Sequence, residues 1–84
     1  MRGLVKELGI APKIAQYDVL AAWPEVVGPQ IARVTKAERV ENGILHVSVA
    51  TAPWRAELTL KRREMIERLN MRVGTRVLTD IRFR

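Results

Sequence analysis

The sequence contains no cysteine, a single histidine and only four aromatic residues among 84. Without cysteine there can be neither disulfide bonds nor thiolate metal sites, and a reducing cytoplasmic setting is expected. His46 has only Ser48 beside it, which is too little for a metal centre or a nucleophilic triad. We therefore predict that the protein is not an enzyme and has no cofactor, bound metal or small-molecule substrate.

Long hydrophobic runs are also missing, which argues against a membrane partner because a spanning helix needs roughly 18 apolar residues. The chain is long enough for one domain, residues 1–84, with a small core. Its net charge of +6 is unevenly divided. Residues 1–53 carry six basic and five acidic side chains, and residues 54–84 carry nine and four. The second half, at +5, favours an anionic partner, either a nucleic acid or an acidic protein surface.

The first third of the chain shows helical spacing of its apolar residues. Leu4, Val5 and Leu8 predict a short helix that ends at Gly9. A second helix is predicted from Pro12, with this apolar face: Ile14, Tyr17, Leu20, Trp23, Val27 and Ile31. Pro24 and the Gly28-Pro29 pair interrupt the pattern, so we expect a kink or two short helices that meet near Trp23.

The remainder predicts a hairpin, a helix and a strand. Asn42-Gly43 favours a two-residue I′ turn between strands 34–41 and 44–51. A long helix follows over 53–73, and a last strand runs to residue 84. The order α-α-β-β-α-β predicts an α+β fold, a two-layer sandwich with helices on one face of a three-stranded mixed sheet. The crossover should make the third strand parallel to the second.

Two surfaces are candidates for binding. Trp54 lies in the first turn of the long helix, either as a core anchor or as a partly exposed contact for a partner. The basic run that follows it is either a solvated helix face or a phosphate contact. Strand alternation places a second set on the outer face of the sheet: His46, Ser48, Arg76, Leu78, Arg82 and Arg84. Without aromatic residues there, such a face would bind nucleic acid mainly by charge and with little sequence preference.

Five short motifs, in order, resemble the DciA-like family. They are Trp23-Pro-Glu-Val-Val-Gly-Pro-Gln-Ile-Ala with Thr35, Asn42-Gly-Ile-Leu-His-Val-Ser-Val, Trp54-Arg-Ala-Glu-Leu, Leu69-Asn70 and the terminal Ile81-Arg-Phe-Arg. The resemblance covers residues 4–84. It implies a bacterial protein with a K-homology-like fold that binds the DnaB-type replicative helicase. It also implies promotion of helicase loading on single-stranded DNA.

The resemblance assigns roles to residues by position. It implies helicase binding by Trp54, Arg55 and Leu58. It implies nucleic-acid binding by the basic residues that follow: Lys61, Arg62, Arg63, Arg76, Arg82 and Arg84. The chain has no Gly-x-x-Gly loop, the clamp of K-homology nucleic-acid binders. Many relatives carry a basic extension, whereas this chain stops at the last strand, so weak DNA binding is expected.

Two other functions fit the same residues. One is a stand-alone single-stranded DNA- or RNA-binding protein, including a ribosome-associated one, in which Arg62 and Arg63 would matter most. The other is a homo-oligomeric structural module that pairs through its polar edge strand.

Overall fold

The computed structural model describes residues 13–84. Its elements are α1 (Lys13–Val27), α2 (Pro29–Ala32), β1 (Thr35–Glu41), β2 (Ile44–Val49), α3 (Ala52–Leu60), α4 (Arg62–Val73) and β3 (Asp80–Phe83). The short helix predicted around Leu4 to Leu8 lies outside the described residues.

The three strands form one mixed sheet in the order β1-β2-β3. β1 and β2 are antiparallel, and β3 runs parallel to β2. Asn42 and Gly43 both have positive φ angles, 55° and 78°, as a I′ turn requires. The predicted α+β class, the hairpin and the parallel third strand are confirmed.

One face of the sheet packs under the helices. Along β2, Leu45, Val47 and Val49 are buried and alternate with half-buried residues. They join side chains from α1, α3, α4 and the last strand in one core: Ala15, Val19, Ala22, Trp23, Leu45, Val47, Val49, Leu58, Met65, Leu69, Val77, Leu78 and Ile81. Since the helices cover only this face, the other face of the sheet remains outside.

Trp23 links three elements of the fold. Its side chain is 2% exposed, and its ring lies 6.4 Å from that of Phe83 between centroids. The indole Nε1–H donates to the Thr35 hydroxyl at 2.9 Å, and this hydroxyl donates to the Ile31 carbonyl at 2.9 Å. The pair of bonds ties α1 to β1 and to α2, and it satisfies a polar group that burial would otherwise leave unpaired.

The two predicted helix boundaries are corrected by the structure. α1 continues through Pro24, and the turn into α2 comes at Gly28 rather than near Trp23. The helix predicted over 53–73 is divided at Lys61, whose φ of −102° and ψ of 11° lie outside the helical range. The division has a packing cause: α3 lies on β2 and β3, whereas α4 packs mainly against α1.

The last strand is shorter than predicted because Asn70 holds the segment before it. The Asn70 Oδ1 accepts the backbone N–H groups of Val77 and Leu78, at 3.0 and 2.9 Å, and its Nδ2 donates to the Leu78 carbonyl at 2.9 Å. Both apolar side chains are buried as neighbours, which alternation does not allow. The placement of Leu78 and Arg76 on the outer face is therefore wrong.

Replacing Thr35 by valine should destabilise the domain, since the buried Trp23 N–H would lose its acceptor and the Ile31 carbonyl would keep only backbone donors such as the Val34 N–H. We expect a loss of about 1–3 kcal/mol in the free energy of unfolding, measured by urea denaturation. Thr35→Ser keeps the hydroxyl and should cost less. Equal stability of the valine variant and the wild type would show that this link is unimportant.

Candidate partner-binding groove

A capped helix start fixes the position of Trp54. Thr51 has extended backbone angles, and its hydroxyl accepts the Trp54 N–H at 3.3 Å, as an N-cap residue does. Pro53 occupies the first turn, where the backbone N–H that proline lacks would have no helical partner. The cap and the proline together hold the first turn, and with it the indole, against the rest of the fold.

The opposite wall of the groove comes from the turn between α1 and α2. Gly28 has a φ of +90°, a conformation that L side chains rarely adopt, and a Cβ there would meet no atom within 4 Å. Glycine is therefore needed for the backbone conformation and not for space. The Ala32 N–H donates to the Gly28 carbonyl at 2.9 Å and starts α2. The turn carries Pro29 and Ile31 to the side facing Trp54.

Between these walls lies a groove of about 610 Å³. Its lining residues are Val27, Gly28, Pro29, Gln30, Ile31, Pro53, Trp54, Glu57 and Lys61. Trp54 is half-buried: it packs against the core and also lines this groove. The ionisable side chains of the lining, Glu57 and Lys61, form an ion pair with each other at 3.6 Å. A partly exposed indole within apolar walls is typical of a protein-binding anchor, and the groove brings together no group of residues suited to catalysis.

The three residues with an implied helicase role are separated by the structure. Only Trp54 lines the groove. Leu58 is fully buried, because its position four residues later on α3 faces the sheet, so its side chain cannot reach a partner. Arg55 lies outside the lining, and its Nε is buried without a hydrogen-bond partner among residues 13–84.

The six residues with an implied nucleic-acid role also lie apart. Lys61 borders the Trp54 groove, and Arg62 and Arg63 line a second groove with Leu60 and Thr79. Arg76 lies against α4, beside Glu64 and Met71. Arg82 lies in β3, and Arg84 directly follows this strand. The structure therefore does not join these cations into one surface.

Ion pairs neutralise part of the positive charge. Lys61 pairs with Glu57, Arg62 with Asp80 at 3.4 Å, and Arg84 with Glu38 at 2.7 Å. On the helices, Arg68 pairs with Glu64 and Arg72 with Glu25. Such exposed pairs contribute little to stability, because solvent screens them. Their larger effect is on binding, since a phosphate must compete with a carboxylate at each paired cation.

Arg63, Arg76 and Arg82 form no ion pair within the described part of the chain. All three side chains are exposed. These are the implied nucleic-acid residues whose charge is available without breaking a contact.

Sequence reasoning missed most of the groove. Val27 and Ile31 were assigned to an apolar helix face, and Gly28-Pro29 only marked a break. The useful signal is that this glycine–proline pair lies inside a run of apolar residues. A turn there exposes neighbouring apolar side chains, but only the tertiary packing shows that they face Trp54.

Neither a membrane-spanning helix nor a metal-binding cluster occurs in the described part of the chain. Among residues 13–84, none of the helices has both the length and the apolar content to cross a membrane. Within the same range, histidine and carboxylate side chains do not gather in threes or more at a spot where they could hold a metal ion.

A match to a known protein family covers nearly the whole chain. A family model described as "Dna[CI] antecedent, DciA" matches residues 1–83. The chain belongs to the DciA family. This membership relates the domain, at the level of the family, to bacterial DNA replication.

Several proteins similar to this chain are described as UPF0232 proteins. The one from Rhodococcus jostii (strain RHA1) is 29% identical over 79 residues, which are 94% of this chain and 42% of the relative. That of Mycobacterium ulcerans (strain Agy99) is 28% identical over 81 residues, 96% of this chain and 43% of the relative. The chain thus spans about two fifths of the length of these relatives.

The contrast between the two tryptophans can be tested by fluorescence quenching. In Trp54→Phe the remaining indole is Trp23, whose burial should shield it from acrylamide. In Trp23→Phe, if circular dichroism shows a folded protein, Trp54 should be quenched several-fold more strongly, because it borders an open groove. Similar quenching constants for the two variants would contradict the half-exposed position of Trp54.

Proposed function

We propose that this DciA-family domain is a non-enzymatic adaptor in the initiation of DNA replication. It binds a DnaB-type replicative helicase through the Trp54 groove and promotes loading of the helicase on single-stranded DNA. It also binds DNA weakly and without sequence preference. The observation that carries the proposal is the half-buried indole of Trp54 in an apolar groove.

The groove has the features of a protein contact rather than of a small-molecule site. Its walls come from two helix starts, and its rim carries a paired acid and base. A tryptophan at the centre of such a site can supply a large share of the binding free energy, because its ring removes much apolar surface from water at little entropic cost. Membership in the DciA family supports the helicase as the partner.

The distribution of charge supports weak DNA binding. The cations in residues 54–84 lie on several surfaces, and many of them pair with carboxylates. Affinity for a polyanion depends on how many phosphates can be neutralised together. Scattered and partly paired cations give few simultaneous contacts, so the domain should hold DNA loosely while the helicase contact provides specificity.

The direct test is binding of the purified domain to the replicative helicase of its host by isothermal titration calorimetry. Trp54→Ala should weaken the complex by about 30-fold or more, the loss expected for a hot-spot residue. Leu60→Ala is the matched control, since Leu60 is 83% exposed and lies outside the groove. It should leave the affinity within about twofold.

Circular dichroism must show that both variants keep the wild-type fold. No complex between the helicase and the wild-type domain at micromolar concentrations would reject the proposal. Equal affinities of the Trp54→Ala and Leu60→Ala variants would reject the groove as the contact.

A stand-alone single-stranded DNA- or RNA-binding protein is the second candidate. The unpaired, exposed side chains of Arg63, Arg76 and Arg82 favour it. This function predicts nucleic-acid binding that Trp54→Ala leaves unchanged, together with no helicase complex, so the same set of variants separates the two candidates.

A further inference from the structure

The outer face of the sheet is ordered into rows by the strand register. Arg39 on β1 lies opposite His46 on β2, which lies opposite Arg82 on β3. In the next row towards the hairpin turn, Glu41, Ile44 and Asp80 are aligned in the same way. One row is thus basic and the other acidic.

A third row completes the pattern at the far end of the strands. Lys36 lies opposite Ser48. Arg84 lies on the other side of Ser48, because its N–H donates to the Val47 carbonyl at 2.9 Å and its carbonyl accepts the Val49 N–H at 2.6 Å. We call the surface of the two basic rows the cationic end of the sheet; its fixed charges are Lys36, Arg39, Arg82 and Arg84.

A β-bulge adds one carboxylate to this surface. The pairing of β1 with β2 shifts between Ala37 and Arg39, which leaves Glu38 as the extra residue. Its carboxylate accepts a hydrogen bond from Arg84 Nη2 at 2.7 Å. That bond, with smaller contributions from Ser48 and Lys36, holds the pKa of the Glu38 carboxyl below its ordinary value. An anion is therefore already stabilised among these cations.

We infer that the cationic end of the sheet binds the phosphate backbone of single-stranded nucleic acid, and that Glu38 is an internal competitor which a phosphate displaces from Arg84. The inference gives a location to the weak DNA binding in the proposed function and rests on that part of it. Lys36 and Arg39, which lie in the less basic half of the sequence, become binding residues.

Geometry favours this surface over the junction of α3 and α4. Adjacent strands lie about 4.8 Å apart and the rows about 6.7 Å, so the four cations are within reach of successive phosphates. Lys36 and Arg82 are exposed and form no ion pair within residues 13–84. At the junction, by contrast, Arg62 is held by Asp80 at 3.4 Å.

The neighbouring charges set the limits of the surface. Glu41 lies 3.3 Å from Arg39 and 3.8 Å from His46, and Asp80 stands in the same row as Glu41. A polyanion is repelled from that end of the strands, so its path should stay on the two basic rows. Phe83 packs against the core, so the outer face of the described strands offers no phenyl, phenol or indole ring for base stacking, and its one ring is the half-buried imidazole of His46. Binding should therefore tolerate any sequence.

The experiment measures fluorescence anisotropy of a labelled single-stranded oligothymidine as a function of salt concentration. Lys36→Gln/Arg82→Gln should lower affinity about fivefold to tenfold and reduce the slope of log K against log salt by about 1.4, or about 0.7 for each lost contact. Glu38→Gln should raise affinity about twofold to threefold, since Arg84 is released without any loss of positive charge.

Arg68→Gln/Arg72→Gln is the matched control, because it removes the same charge from exposed positions on α4 to which no nucleic-acid role is assigned. It should change affinity less than twofold. All variants are compared only where thermal unfolding shows the wild-type fold.

Several results would overturn the inference. An equal loss in the two double variants would mean that net charge alone governs binding, and a loss only in Arg68→Gln/Arg72→Gln would place the contact on α4. Unchanged affinity in Glu38→Gln would show that Glu38 does not compete with a phosphate for Arg84. If the wild-type domain does not bind the oligothymidine at low salt, both this surface and the DNA-binding part of the proposed function are rejected. Helicase binding through Trp54 is decided separately, by the calorimetric measurement.

Discussion

Burial of Trp23 is the constraint on which the rest of the arrangement depends. Its indole cannot be placed in the core without a partner for its N–H, and Thr35 is that partner. The same hydroxyl binds the Ile31 carbonyl, so the requirement of one buried donor also fixes the position of α2. Because α2 forms one wall of the Trp54 groove, a core residue determines the shape of a binding surface that it does not itself line.

The two tryptophans show how position, rather than residue type, decides between core and contact. Trp23 lies in the third quarter of a helix that packs on both the sheet and α4, and every direction around its ring is occupied. Trp54 lies in the first turn of α3, where a helix end leaves one side of the ring without a neighbour. The sequence supports both roles for Trp54. The structure shows that its environment is divided: part of the side chain packs on the core and part lines the groove.

Local patterns predicted the elements well, whereas contacts beyond the local pattern explain the errors in the last strand and in the long helix. Asn42-Gly43 specifies its turn through the backbone angles it tolerates, and the alternation along β2 identifies its buried face. Nothing local indicates that Asn70 will capture the amides of Val77 and Leu78, so the start of the last strand and the position of Arg76 were wrong. The helix break at Lys61 has the same origin, because α3 and α4 pack against different elements of the fold. The rows of charge on the sheet depend on the strand register. It places residue 36 of β1 and residue 84, which follows β3, on either side of residue 48 in β2.

The two proposed surfaces differ in kind and lie on different sides of the sheet. The groove is apolar and is formed among the helices that cover the inner face; the cationic end is polar and belongs to the outer face. A protein bound in the groove would therefore leave the two basic rows open, and a nucleic-acid strand on those rows would leave Trp54 accessible. Because the two surfaces share no residue, the two proposed partners would not compete for the same contacts. Strong contact on one side and weak contact on the other would let the protein partner stay bound while the nucleic acid moves, which is what an adaptor between a helicase and a DNA strand requires.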